Sequence, residues 1–184
     1  SLVRRLNLHR LEVPLTTPYK LSFGPVTRFD TLLVEAQDDD GRTGLGEATL
    51  LTGYTDETID GAWTLLQRLA AGFPGQAPEH CVALLAGVTR EAPFAATGLA
   101  TAMEMLQASS WLQVTEPARV PLLGLVNGSE AGELEVEVDR MLREGFRTLK
   151  VKVGFDAEED ARRVRLIQKS VAGRCLLRID ANQG

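Results

Sequence analysis

Four side chains in two short segments have the types and spacing to do chemistry. Leu149-Lys150-Val151-Lys152-Val153-Gly154 and Ile179-Asp180-Ala181-Asn182 each read as a strand. Side chains on a strand alternate between its two faces, so Lys150 and Lys152 share one face, opposite Leu149, Val151 and Val153. Asp180 and Asn182 share a face in the same way, opposite Ile179 and Ala181. The stretch between the segments reads as a helix, which makes the strands parallel and covers both sheet faces. Strands in that setting are usually continuously apolar, and charges on them are costly to bury without partners or a metal. Lysines two apart can act as a proton-transfer pair, because burial and mutual repulsion lower the pKa of at least one towards neutrality. Asp180 near them could hold a divalent cation, and oxygen ligands suit Mg²⁺ or, as an alternative, Mn²⁺. A lysine base beside a Mg²⁺ that stabilises an enediolate is a known catalytic pattern.

The elements that must position these groups begin near Pro117. Val120-Pro-Leu-Leu-Gly-Leu-Val126 reads as a strand, Ser129 as the cap of a helix running to Arg143, and Gly145 as its stop. After the lysine strand, Asp156 and Glu159 resemble a capping box for a second helix. Its apolar stripe is Ala161, Val164, Ile167 and Val171, and Gly173 closes it. Strand starts near Val120, Arg147 and Cys175 recur at an even spacing. This strand-helix-strand-helix-strand run fits a parallel α/β fold, either a (β/α) barrel or a doubly wound sheet. Both charged pairs then lie at the C-terminal ends of their strands, where such folds form active sites. The doubly wound option is the weaker, because no phosphate loop follows the strand at Val120.

The first part of the chain has a different rhythm. Leu6 to Val13 reads as a strand that Pro14-Leu-Thr-Thr-Pro18 breaks, and a loop follows through Phe23-Gly24-Pro25. Thr31 to Ala36 and Thr43 to Ala48 read as a hairpin around Asp38-Asp-Asp-Gly41. Helices are expected over Asp56 to Ala71, Glu79 to Leu85 and Pro93 to Leu112. Three strands followed by helices suggest a small α+β domain over residues 1–117, with the α/β part over 118–184.

Composition narrows the class of function. The chain has 184 residues, 44% hydrophobic and 24% charged, with a net charge of −5 and a pI near 5.1. That balance argues against nucleic acid or an anionic membrane as partner. No run is long and apolar enough to span a bilayer, and no signal-peptide pattern opens the chain. Cys81 and Cys175 stand alone, so a reduced, cytoplasmic setting is expected.

At these residues the chain resembles the enolase superfamily, in particular its muconate-lactonizing-enzyme subgroup (mandelate racemase/muconate lactonizing enzyme-like). Lys150-Val-Lys152 and Asp180-Ala-Asn182 match the subgroup's Lys-x-Lys and Asp-x-Asn at the ends of the second and third barrel strands. Asp39-Asp-Gly41 with Gly44-Leu-Gly-Glu-Ala48 resembles the capping domain's hairpin. Thr16 to Pro25 and Gly53-Tyr-Thr-Asp-Glu57 resemble its two mobile loops, and Ala92-Pro-Phe-Ala95 and Gly145 to Lys150 are also similar to family wording. The resemblance implies an α+β capping domain followed by the start of a (β/α) TIM-type barrel, with about three of eight strands present. It implies abstraction of the proton α to a carboxylate, in a racemase, epimerase or cycloisomerase. Lys152 would touch the substrate carbon, Lys150 would tune it, and Asp180 would be the first of three metal ligands, with Asn182, Tyr54 and Phe23 near the substrate. A whole barrel needs roughly 250 residues, so the chain is expected to be the N-terminal portion of a longer protein, a homo-oligomer at full length. The portion by itself is expected to be inactive.

Blander readings stand beside these. The lysines could form a solvated face, and Asp180 could cap a turn. Gly44-x-Gly46 lacks the third glycine of a dinucleotide fingerprint and reads as turn geometry, and Glu47 as a structural hydrogen-bonding residue. A different class of function also fits, a non-catalytic remnant or interaction module that keeps the capping domain and part of a barrel.

Overall fold

Three strands open the chain and form one sheet in the order β1-β2-β3: β1 is Val3–Leu21, β2 Gly24–Asp38 and β3 Thr43–Leu50. These come from a computed structural model that describes residues 1–21 and 24–181. β2 and β3 are antiparallel, with Asp30 opposite Leu50 and Gln37 opposite Thr43. Alternation sends Leu32, Val34 and Ala36 of β2 and Ala48 and Leu50 of β3 into the core. β1 is not broken at Pro14 and Pro18, contrary to expectation: it runs through both. It is an edge strand, where a proline's missing N–H need not deprive a neighbour of a ladder bond.

Three helices cover this sheet's apolar face: α1 (Ile59–Ala70), α2 (Pro78–Leu85) and α3 (Pro93–Leu106). Leu66, Leu85, Leu99, Met103 and Leu106 are fully buried with Phe73 and Cys81 against the strand residues. The expected third helix ends earlier, and Ser110–Leu112 forms a separate 3₁₀ turn. Gly44 and Gly46 do not make a turn, as the sequence suggested. They lie within β3, and a Cβ on Gly46 would stand 1.8 Å from the Gly98 carbonyl oxygen of α3, one on Gly44 2.1 Å from that of Ala102. Their missing side chains let the helix backbone lie directly on the strand.

The second unit is mostly Glu116 onward. β4 (Gly124–Val126), β5 (Thr148–Lys152) and β6 (Leu176–Asp180) form a parallel sheet in sequential order, connected by α4 (Ala131–Arg143) and α5 (Ala157–Val171). Its core is Val126, Leu134, Val138, Met141, Leu149, Val151, Ile167 and Val171. β4 is shorter than expected, with Val120 and Leu122 exposed outside it. Ser129 does not cap α4. The N-cap position is Glu130, and Glu133 instead accepts the Ser129 N–H at 3.2 Å. α5 starts as foreseen, the Asp156 carboxylate accepting the Glu159 N–H at 2.8 Å. No helix among the described residues is long and apolar enough to cross a membrane.

Candidate active site

β5 carries both lysines because its pleat alternates: Leu149 and Val151 go to the core on one face while Lys150 and Lys152 take the other. The parallel register sets Lys152 opposite Asp180 and Lys150 opposite Arg178. Three of the expected site residues therefore converge. Lys150 Nζ stands 2.5 Å and Lys152 Nζ 2.9 Å from one oxygen, Oδ2, of Asp180. Burial separates the two lysines: the Lys152 side chain is 8% exposed and that of Lys150 26%. Two ammonium groups thus face one carboxylate oxygen, which offsets the repulsion between them.

The remaining expected residues fall elsewhere. Tyr54 sits in the first unit, on the turn after β3, half-buried, its N–H donating to the Leu51 carbonyl at 3.0 Å. Phe23 and Asn182 lie outside the described residues. Just after Tyr54, Glu57 is buried and accepts the N–H groups of Phe94 at 2.8 Å and Ala95 at 3.0 Å. It thus caps α3, which starts at Ala92-Pro93 with no side-chain cap of its own. Glu47 has the hydrogen-bonding part foreseen for it, accepting from the Thr49 hydroxyl at 3.1 Å.

The strand ends of the second unit are tied by helix side chains the sequence reading missed. Glu137 of α4 accepts the N–H groups of Asn127 and Gly128, and Asp160 of α5 those of Gly154 and Phe155. Arg163 donates to the carbonyls of Val126, Gly128 and Lys152. A signal was present. Asp160 and Arg163 extend the stripe of Ile167 and Val171 on α5, where apolar residues were expected, whereas Ala161 is exposed.

Asp180 offers a hard oxygen donor of the kind Mg²⁺ takes, and by itself supplies one position of six. Among the described residues, three acidic ligand groups converge only at Asp38, Asp39 and Asp40. There Asp38 is held by the Arg42 N–H and Nε at 2.8 Å each, Asp39 accepts the Leu2 N–H, and Asp40 pairs with Arg42. Those carboxylates stitch a turn. Burial raises the Asp38 pKa, but the Arg42 hydrogen bonds outweigh it and hold the group below its ordinary value. Burial likewise pushes the Cys81 thiol up to about 11, which keeps it neutral.

The enolase C-terminal domain-like family matches residues 133–184. The L-Lys-D/L-Arg epimerase of Methylococcus capsulatus is 30% identical over 180 residues, covering 92% of this chain and 51% of that protein. The L-Ala-D/L-Glu epimerase of Bacillus subtilis is 28% identical, covering 98% of this chain and 52% of its own length. A crystal structure of a dipeptide epimerase from Cytophaga hutchinsonii, complexed with Mg and the dipeptide D-Ala-L-Val, superposes with a TM-score of 0.87 at 25% identity. It matches all of this chain and 53% of the epimerase. The chain thus spans about half the length of the curated relatives it matches. Its fold is a small strand-rich domain followed by the opening strands of a (β/α) barrel.

Proposed function

The chain belongs to the enolase superfamily, and from that premise we propose that it supplies part of the active site of a Mg²⁺-dependent epimerase acting on dipeptides. In this reading, residues 1–117 are the capping domain and 118–184 the start of the barrel. The observation that carries it is the pairing of two lysines, one buried, on a single Asp180 oxygen at the C-terminal strand ends. The shared carboxylate of the relatives' substrates is the anion such a cluster suits.

Lys152 moves the proton. Buried at the strand end, its amine is the group to take a proton from the carbon α to the substrate carboxylate, or to return one to it. Lys150, more exposed and on the same Asp180 oxygen, lies close by to hold the substrate's negative charge. Asp180 would be the residue of this chain to hold Mg²⁺, with Mn²⁺ as a substitute. Mg²⁺, when bound, supplies the positive charge that stabilises the enediolate. Tyr54, on its turn, contributes to the choice of dipeptide, as do Phe23 and Asn182 by their sequence positions.

The test is deuterium wash-in at the α-carbon of a dipeptide such as L-Ala-L-Glu, followed by proton NMR in D₂O with Mg²⁺, using the complete protein that contains this chain. Lys152→Ala is expected to slow exchange by roughly 10²- to 10⁴-fold, the usual contribution of a positioned proton-transfer group. Exchange at the unaltered rate would sink the role given to Lys152.

A further inference from the structure

Arg163 of α5 makes three hydrogen bonds, all to backbone carbonyls at the ends of two strands. Nε donates to Gly128 at 2.7 Å, Nη1 to Lys152 at 3.0 Å and Nη2 to Val126 at 2.8 Å. Val126 is the last residue of β4 and Lys152 the last of β5, so the two strand ends and the turn after β4 meet on one guanidinium. Val126 and Lys152 end their strands and Gly128 follows in the turn, and each carbonyl oxygen has two lone pairs to satisfy. The planar fork of five N–H donors suits this task, and a lysine's point charge does not. One turn earlier on the same helix, Asp160 accepts the amides of Gly154 at 2.8 Å and Phe155 at 3.1 Å. The Val153 N–H in turn donates to the Asp180 carbonyl at 3.0 Å.

We propose that Arg163 is a positioning residue for Lys152: it fixes the carbonyl end of that residue against β4 and so fixes where the ammonium sits against Asp180. A side chain is aimed by its own backbone. With Arg163 holding the Lys152 carbonyl and Asp160 the next turn's amides, Lys152 has little freedom to swing from the Asp180 oxygen 2.9 Å away. The guanidinium itself touches backbone only in these bonds, so its effect on chemistry passes through Lys152. The inference rests on the epimerase reading for its catalytic consequence and on geometry alone for the clamp.

The experiment compares Arg163→Met, which keeps the stem and removes the donors, with Arg165→Met on the exposed side of the same helix. In the complete protein, Arg163→Met is expected to lower kcat for α-proton exchange by roughly 10- to 100-fold, as small misplacements of reacting groups do, with KM nearly unmoved. Arg163→Lys, a milder variant, keeps the charge without the fork and is expected to lose kcat in the same sense. Amide hydrogen exchange of Val153, Gly154 and Phe155, read without substrate, is expected to accelerate about tenfold or more in Arg163→Met and not in Arg165→Met. Unchanged amide exchange overturns the clamp, and so does a wild-type kcat in both Arg163 variants. If the unaltered protein exchanges no dipeptide α-proton, the epimerase reading fails, while the amide arm still decides the clamp.

Discussion

The first unit buries the carboxylates of Asp38 and Glu57, and each meets donors that match it; the second buries the ammonium of Lys152, which shares one carboxylate oxygen with Lys150. Glu57 accepts two backbone N–H groups at the start of α3, and Asp38 accepts an amide and a guanidinium N–H from Arg42. In both cases the buried charge closes an account of otherwise unsatisfied backbone donors. At the strand ends the backbone is served by Arg163, Asp160 and Glu137, while both lysines face the Asp180 carboxylate. A buried charge that the surrounding chain needs is structural. One that the chain must stabilise, while neighbours do the backbone's work, is there for something else. That contrast is measurable.

Its largest consequence concerns Glu57. Glu57→Ala leaves two N–H groups of α3 without their carboxylate, one of them on buried Ala95. Hydrogen bonds to a charged group and a lost helix cap together are expected to cost about 2–3 kcal/mol. Urea unfolding followed by tryptophan fluorescence reads this, because Trp63 packs on the first unit's core. A loss under about 0.5 kcal/mol, the usual range of a surface substitution, would remove Glu57 from the structural side of the comparison.

A smaller effect is expected at Asp38. Its pKa is held below the ordinary 3.8, the Arg42 bonds prevailing over burial. A depressed acid contributes stability that is fully present above its unfolded value and is lost as pH falls through the folded one. The first unit's stability should therefore be flat in this respect above about pH 4 and decline below it. Asp38→Asn should flatten that decline. Arg42 is half exposed, so solvent screens the pair and added salt should shrink the effect further. A stability that rises on acidification would contradict the assignment.

How much of this could be read beforehand follows the same division. Alternation alone put Lys150 and Lys152 on one face, and the parallel connection brought Asp180 to them, because strand periodicity and register are local rules. The extent of β1 was misread because proline signals a break in general, while an edge strand tolerates it, and edge status is a property of the assembled sheet. Gly44 and Gly46 were misread for a related reason: nothing near them in sequence announces that the backbone of α3 lies against them. Glu57 stands far in sequence from the amides it caps. Arg163 was the more legible omission, since its place one turn before Ile167 on the sheet-facing stripe marks a charge where packing calls for an apolar side chain.

The sharpest test of the contrast predicts almost no effect on stability. Lys152→Met removes the buried ammonium and keeps an unbranched side chain of similar reach. Asp180 is not orphaned, because Lys150 remains 2.5 Å from the same oxygen. Exchanging a buried ion for a packed apolar group is commonly neutral or stabilising, since the desolvation cost disappears along with the attraction. The second unit should therefore hold its stability within about 1 kcal/mol or gain some, read as protection of the β5 amides against hydrogen exchange. Should Lys152→Met destabilise β5 as much as Glu57→Ala destabilises α3, the lysine would be a structural charge like Glu57. A stable β5 in this variant, together with lost α-proton exchange, would place the charge where stability gives no reason for it and chemistry does.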